Sequence, residues 1–241
     1  MLPLCDIYIG VFENYFRGNL KKNKKFLEHF FVINGNICKK EEKEMNTAQP
    51  IRKTEDLNRI KAYYKIECPH PRNYLLIIMG LNTALRISDL LQLRWEGVYD
   101  FKNEEWKEHI IIVEQKTGKN SSILVNSNLK EALWEYRKHL LKEGKNACAE
   151  DYIFESLGFE HKSITRIQAF RIIKKAAEAC NISGVVSCHS LRKTFGYHAW
   201  QQGISPVLLM NIYNHSSFQV TQRYLGIEQD DRDKVFEKIV I

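Results

Sequence analysis

The run LLIIMGL, residues 75–81, is apolar on every side of a helix rather than along one stripe. A helix with this pattern is buried all round, so other elements must surround it. The chain has 241 residues, of which 44% are hydrophobic, and this is enough for one substantial core, or for one core and a small extra module. We therefore expect residues 75–81 to form a fully buried helix within one main core.

Two short segments have the composition of strands, and the remaining periodic segments are helical. HIIIVEQ, residues 109–115, and SSILVN, residues 121–126, flank KTGKN, whose Gly118 suits a tight turn, so they predict a β-hairpin. Helical spacing returns after residue 128 and again in TRIQAFRIIKKAAEAC, residues 165–180. The expected fold class is α+β, mainly α-helical, with a small antiparallel sheet.

The first 48 residues differ in composition from the rest, because an aromatic-rich start is followed by the charge runs KKNKK and KKEEKE. We predict a boundary near Met45, which makes residues 1–48 a short N-terminal extension and residues 49–241 the main domain. The C-terminal stretch DDRDKVFEKIVI, residues 230–241, is expected to form a short amphipathic helix.

Composition bounds the function only weakly. The formal charge of +7 and the pI near 9.0 suit an anionic partner such as nucleic acid, although many basic proteins bind none. The six cysteines form no CxxC pair, which favours free intracellular thiols over a metal site. We find no secretion signal and no apolar run long enough to span a bilayer, so we expect a cytoplasmic protein without a membrane partner.

Three side chains stand where a phosphate could meet them. His189 and Arg192 of HSLR are three residues apart and share a helix face, although a solvated helix start is the simpler interpretation of this tetrad. Arg86 lies between two apolar helical runs, where a guanidinium needs an anionic partner. Asp89 could be that partner, or it could hold Arg86 in place while a bound phosphate takes the remaining donors.

The segment NHSSFQVTQRYLG, residues 214–226, leaves the role of Tyr224 open. Val220, Tyr224 and Ile227 fall at the spacing of one helix face, so the ring could simply belong to the core. A lysine at the head of the hairpin turn, Lys116, would by itself be an ordinary solvated side chain.

Six positions, in their order and spacing, resemble the catalytic domain of the tyrosine recombinases, the phage integrase family. The motifs are an arginine in ALRISDLLQL, a lysine in EQKTGK, the tetrad HSLR, and a histidine in YNHSS nine positions before the tyrosine of RYLG. Each motif alone is weak, but together, in their expected contexts and across nearly all of residues 49–241, they are specific. The six residues are Arg86, Lys116, His189, Arg192, His215 and Tyr224.

The resemblance implies a site-specific recombinase or integrase that cleaves and rejoins double-stranded DNA through a 3'-phosphotyrosyl bond, without metal, ATP or small-molecule cofactor. Tyr224 would be the nucleophile. Arg86 and Arg192, helped by His215, would stabilise the charge on the pentacoordinate phosphate. Lys116 would protonate the leaving 5'-hydroxyl.

The resemblance also implies a role for His189, which would accept the tyrosine proton or orient the phosphate, and a supporting role for Asp89. It implies self-association on DNA. The chain departs from the family in two places. Tyr213 and Asn214 replace the usual Leu-Gly, and we expect the turn to survive because asparagine tolerates a left-handed backbone. In addition, residues 1–48 are too few for the core-binding domain that most relatives carry.

Two other functions compete with recombination. A noncatalytic DNA-binding relative would keep the fold and the basic cleft, but the presence of all six residue types argues against such decay. A type IB topoisomerase would share the phosphotyrosine chemistry, but the small size of the chain and the short spacing between His215 and Tyr224 favour a recombinase.

Overall fold

The computed structural model describes residues 48–156, 159–227, 233 and 236–239. Helix α1, Thr54–Ala62, runs into a π-helical turn, Tyr63–Glu67. Helix α2, Pro71–Asn82, begins with a proline whose fixed φ suits the first helical position, and the short α3, Ile87–Leu91, follows. Residues 75–80 of α2 are buried without interruption, which confirms the helix predicted from the apolar run.

Three antiparallel two-stranded sheets are present in the described residues. The strands are β1 Tyr99–Asp100, β2 Glu105–Trp106, β3 His109–Val113, β4 Asn120–Leu124, β5 Glu155–Ser156 and β6 Phe159–Ser163. The pair β3–β4 is the predicted hairpin, and Gly118 in its turn has the positive φ of 65° that a side chain disfavours. The sequence analysis did not predict β1–β2 or β5–β6.

The other helices of the described part are α4 Ser127–Lys142, α5 Arg166–Ala179, α6 Cys188–Gln201, α7 Pro206–Ile212 and α8 Phe218–Leu225. Side-chain caps fix several starts. Asn126 accepts a hydrogen bond from the third residue of α4, and Thr165 forms a reciprocal capping box with Gln168 at the start of α5.

Helix α2 is the central element because α4 and α6 both pack on it. Leu75, Leu76 and Met79 join α4 residues such as Leu133 in the main apolar cluster. A Cβ added at Gly80 would lie 2.5 Å from a methyl carbon of Leu191 on α6, so glycine allows the two helices to approach closely.

A smaller apolar cluster lies against α7 and α8 and supports the segment that carries Tyr224. Its fully enclosed members are Ala84, Leu209, Tyr213 and Leu225. The predicted face of α8 is confirmed only in part. Tyr224, and Ile227 beyond the helix, pack against this cluster, but the fully buried positions are Thr221 and Leu225, whereas Val220 is partly exposed. A polar Thr221 can take a core position because its hydroxyl has a hydrogen-bond partner in His215.

Several expectations fall partly outside the described residues. The boundary near Met45 and the division into residues 1–48 and 49–241 stay predictions. Of the C-terminal stretch, residues 233 and 236–238 are helical, and most of the remainder lies outside the described part. The described cysteines, Cys68, Cys148, Cys180 and Cys188, are free thiols, as expected. Among the described residues, no helix has the length and apolar character that crossing a bilayer requires.

Gly196→Ala should destabilise the fold by about 1 to 3 kcal/mol, the usual cost of overpacking a core. The new Cβ would overlap the hydroxyl of the fully buried Tyr213, which outweighs the gain of up to about 1 kcal/mol in helix propensity. Urea unfolding measures the free energy of unfolding. Gly97→Ala is the matched control, because no atom lies within 4 Å of its new Cβ. Equal stability of the two variants would contradict this packing.

Candidate active site

Arg192 is a fully buried cation in the first turns of α6, with 1% of its surface exposed. Its Nη1 donates to the carbonyl of Ala84, and its Nη2 donates to the carbonyl of Tyr213 at 2.9 Å. The guanidinium carbon lies 4.6 Å from the centre of the Tyr213 ring and 5.8 Å from that of Tyr224. Burial lowers the pKa of Arg192, yet a guanidinium stays charged in proteins. The side chain is therefore a fixed positive charge beside Tyr224.

Arg86 does not pair with Asp89, and this corrects both roles considered for Asp89, because each of them required that contact. Its guanidinium forms an ion pair with Glu114, 28 residues further along the chain. Asp89 instead accepts a hydrogen bond of 2.9 Å from the backbone N–H of Gln115. Asp89 thus fixes the backbone of the segment that follows β3. The longer side chain of Arg86 reaches Glu114 in the same segment.

Glu114 is the functional-site residue that the sequence analysis missed. Only 1% of its surface is exposed, and besides Arg86 it accepts hydrogen bonds from Thr117 at 2.9 Å, Ser121 at 3.0 Å and Asn214 at 2.8 Å. Burial alone would raise the pKa of Glu114, but these donors hold it below its usual value. Strand alternation could have revealed it, because Glu114 continues the inward face of Ile110.

Lys116 occupies the exposed turn between β3 and β4, as predicted. The turn is held from within, since the N–H of Gly118 donates to the carbonyl of Glu114 at 2.8 Å. The charge of Lys116 helps to lower the pKa values of His189 and His215, so the lysine shares their electrostatic environment. It is a solvated cation at the edge of a buried site.

His189 lies in the first turn of α6, and its ring centre is 6.5 Å from that of Tyr224. Desolvation, then the positive charges of Arg192 and Lys193, lower the pKa of His189. Its imidazole is therefore neutral at pH 7 and has a nitrogen available as a proton acceptor.

His215 follows Asn214, whose φ of 54° confirms the expected left-handed turn. Its ring stacks on Tyr213 at 5.0 Å and meets the ring of Tyr224 edge-on at 4.6 Å. Nδ1 lies 3.1 Å from the hydroxyl of Thr221, which is fully buried. Burial first, then the charges of Arg192 and other cations, lowers the pKa of His215 to about 4.

The structure thus connects five of the predicted residues by contacts, and Lys116 is exposed in the adjoining hairpin turn. Tyr224 lies against His215, His189 and the cation of Arg192, while the charges of Arg86 and Lys116 act on both histidines. Such a set can hold an anion between guanidinium groups, accept a proton, and present a phenol to the held anion. Lys193, whose ammonium lies 5.9 Å from the Tyr224 ring centre, adds a cation that the sequence analysis did not single out.

A separate group of possible metal ligands lies elsewhere in the described residues. Ligand atoms of Asp151, Glu155 and His161 lie within 4.8 Å of one another near the β5–β6 hairpin. His161 is 80% exposed, its ring nitrogen lies 3.3 Å from Asp151, and its backbone N–H donates to Glu155. Exposed acidic groups commonly cluster in this way without an ion, so the group supports no metal assignment.

Comparison with known proteins points to one family. A sequence model of the phage integrase family matches residues 52–230. The probable integrase/recombinase YoeC of Bacillus subtilis is 41% identical over 186 residues, which cover 77% of this chain and 93% of YoeC. Other curated relatives carry the name tyrosine recombinase and are longer. The chain spans 64% of one from Pediococcus pentosaceus and 44% of one from Caldanaerobacter subterraneus.

Solved structures share the fold. The crystal structure of XerA recombinase has a TM-score of 0.65 and 19% identity, over 81% of this chain and 68% of that one. A lambda integrase dimer bound to a COC' core site has a TM-score of 0.57 and 19% identity, over 81% of this chain and 64% of that one. At these identities, the likeness is one of fold.

Acidification should destabilise the protein partly through His215. Its pKa of about 4 in the folded state lies below the value of about 6.5 in an unfolded chain, so the unfolded state takes up the proton first. The stability that the neutral ring contributes is present above pH 6.5 and is lost as the pH falls towards 4. In His215→Gln, the free energy of unfolding should fall less steeply over this range, by on the order of 1 kcal/mol. Identical slopes in urea titrations would refute this.

Proposed function

The chain belongs to the phage integrase family, and we propose that it is a site-specific DNA recombinase that cleaves and rejoins strands through a 3'-phosphotyrosyl bond at Tyr224. The observation that carries this proposal is the position of the Tyr224 ring, 4.6 Å from the His215 ring and 5.8 Å from the guanidinium carbon of Arg192. A phenol placed in this way is next to the donors that would hold a phosphate.

In the proposed step, the hydroxyl oxygen of Tyr224 attacks phosphorus and forms a new P–O bond. The bond from phosphorus to the 5'-oxygen of the next nucleotide breaks, and that oxygen leaves as a hydroxyl with a proton from Lys116. The phenol proton passes to His189, whose lowered pKa keeps it neutral at pH 7. Rejoining is the reverse attack by another 5'-hydroxyl on the phosphotyrosine, so no ATP is consumed.

The nonbridging oxygens would be held by the two arginines. Both keep their charge and offer planar donor pairs, and the buried Nε of Arg192 has no hydrogen-bond partner among the described residues. His215 would act as a neutral donor. When the hydroxyl of Thr221 donates to Nδ1, the ring proton is on Nε2, and this N–H can donate a hydrogen bond to a phosphate oxygen.

Double-stranded DNA is the proposed partner, and the charge of +7 suits it. Self-association on DNA is proposed with it, supported by the fold shared with a lambda integrase dimer bound to DNA. Action on DNA also supports the expected cytoplasmic, DNA-associated location.

The rival functions predict different chemistry. A noncatalytic relative would bind DNA without forming an adduct, but no described contact favours that alternative over a complete site. A type IB topoisomerase would relax supercoiled DNA without a defined site, so a relaxation assay on a plasmid of unrelated sequence separates it from a recombinase.

Tyr224→Phe should abolish the covalent adduct and keep the fold. Phenylalanine fills nearly the same volume, so the change in stability should be small, but no phosphotyrosine can form without the hydroxyl. The measurement is trapping on a suicide duplex, a nicked DNA selected from a random-sequence pool for adduct formation with the wild-type protein. Tyr197→Phe is the matched control on α6 and should react as wild type does. An adduct in Tyr224→Phe would exclude this nucleophile.

Lys116→Ala should slow cleavage of the suicide duplex by about 10² to 10⁴, the usual contribution of general acid catalysis, with little change in DNA affinity. A duplex with sulfur in place of the leaving 5'-oxygen should restore the rate. A thiol, with a pKa of about 8.5 in cysteine, leaves without first being protonated. Failure of the sulfur duplex to restore cleavage would move the acid role to another group, such as Lys119.

A further inference from the structure

A buried carboxylate connects three parts of the proposed site. Glu114 accepts hydrogen bonds from Arg86 at the junction of α2 and α3, from Thr117 and Ser121 of the β3–β4 hairpin, and from Asn214 beside His215. Asn214 also donates to the hydroxyl of Ser121 at 3.0 Å. The carboxylate is therefore surrounded by donors from segments that lie up to 100 residues from Glu114 in the sequence.

This arrangement fixes the positions of the side chains more than it adds to the stability of the fold. A buried ion pair gains little stability relative to apolar packing, but removal of one partner leaves the other charge uncompensated. Nη1 of Arg86 donates to the carboxylate, and 13% of the Arg86 side-chain surface is exposed, against 1% for Glu114, so the arginine is the more accessible partner of the pair. Because a guanidinium is planar, a hydrogen bond on one side of it fixes the direction of its remaining N–H groups.

We propose that Glu114 is a positioning residue for DNA strand cleavage, whose carboxylate orients the guanidinium of Arg86 and, through Asn214, the turn that presents His215. This inference rests on the proposed function and assigns Glu114 no contact with the DNA.

The contacts indicate that Arg86, rather than Lys116, depends on Glu114. Arg86 touches the carboxylate directly, whereas Lys116 is exposed in a turn whose backbone is closed by its own hydrogen bonds, from Gly118 to the Glu114 carbonyl and from Glu114 to the Lys119 carbonyl. Those backbone bonds do not require the Glu114 side chain. Its loss should therefore weaken the stabilisation of the phosphate and leave the protonation of the leaving group intact.

The test is Glu114→Gln, which keeps the shape of the side chain and removes its charge. Single-turnover adduct formation on the suicide duplex should slow by about 10², the effect of a misplaced catalytic group, while the Kd for DNA stays within about threefold of wild type. The sulfur-containing duplex should not restore the rate, although it restores Lys116→Ala. This difference separates an effect on the phosphate clamp from one on the acid.

Asp56→Asn is the matched control, because Asp56 is also a largely buried carboxylate paired with an arginine, Arg59 on α1, outside the proposed site. It should alter stability and leave the cleavage rate at the wild-type value. A wild-type rate in Glu114→Gln would overturn the inference, and so would full restoration of that variant by the sulfur duplex.

A second variant decides the matter if Glu114→Gln does not fold. Asn214→Gly removes one donor to the carboxylate and suits the positive φ at this position, so it should fold normally and cleave more slowly by about tenfold. A wild-type rate in that variant would overturn the inference. A wild-type protein that forms no adduct on any duplex would instead overturn the proposed function, and the two failures are therefore distinguishable.

Discussion

One buried guanidinium ties the site together. Arg192 joins its own helix to the carbonyl of Ala84 and to the carbonyl of Tyr213, while the hydroxyl of Tyr213 donates back to the Arg192 carbonyl at 2.8 Å. In each residue, therefore, the side chain donates a hydrogen bond to the backbone carbonyl of the other. Ala84 has a φ of 55°, an unusual conformation for alanine, and its carbonyl is one of the two groups that hold the charge. The turns before Arg86 and His215 are both anchored by this cation.

The site combines fixed and accessible charges, and the difference fits their proposed tasks. Arg192 is enclosed by protein, and Arg86 is held by a buried carboxylate, so both can present charge without reorganising when the phosphate becomes pentacoordinate. Lys116 is exposed on a hairpin turn. A group that delivers a proton to a departing oxygen and then recovers one from water benefits from that access.

Local sequence patterns predicted most of the helices and strands, but they could not predict contacts between residues far apart in the sequence. The buried α2, the β3–β4 hairpin and the helices α4, α5, α6 and α8 could be predicted because periodicity and glycine turns are properties of neighbouring residues. The partner of Arg86 could not, because Glu114 is 28 residues away and Asp89 offered a carboxylate nearer in sequence.

The buried face of α8 was predicted only in part for a similar reason. Thr221 looks like a surface residue until its hydrogen bond to His215 is known. The six residues of the proposed site were found as a set because their order along the chain matches a family, while their separate environments gave no such signal.

The two histidines also report on the electrical potential that a substrate would meet. Part of the lowering of the pKa of His189 and of His215 comes from surrounding cations, which repel a proton and would attract a phosphodiester by the same field. Thermodynamic linkage makes the relation reciprocal: an anion that enters the site raises the proton affinity of both rings. In the proposed complex, the phosphate of DNA would therefore raise the pKa of each ring, and its attraction to the site would offset the repulsion among the cations.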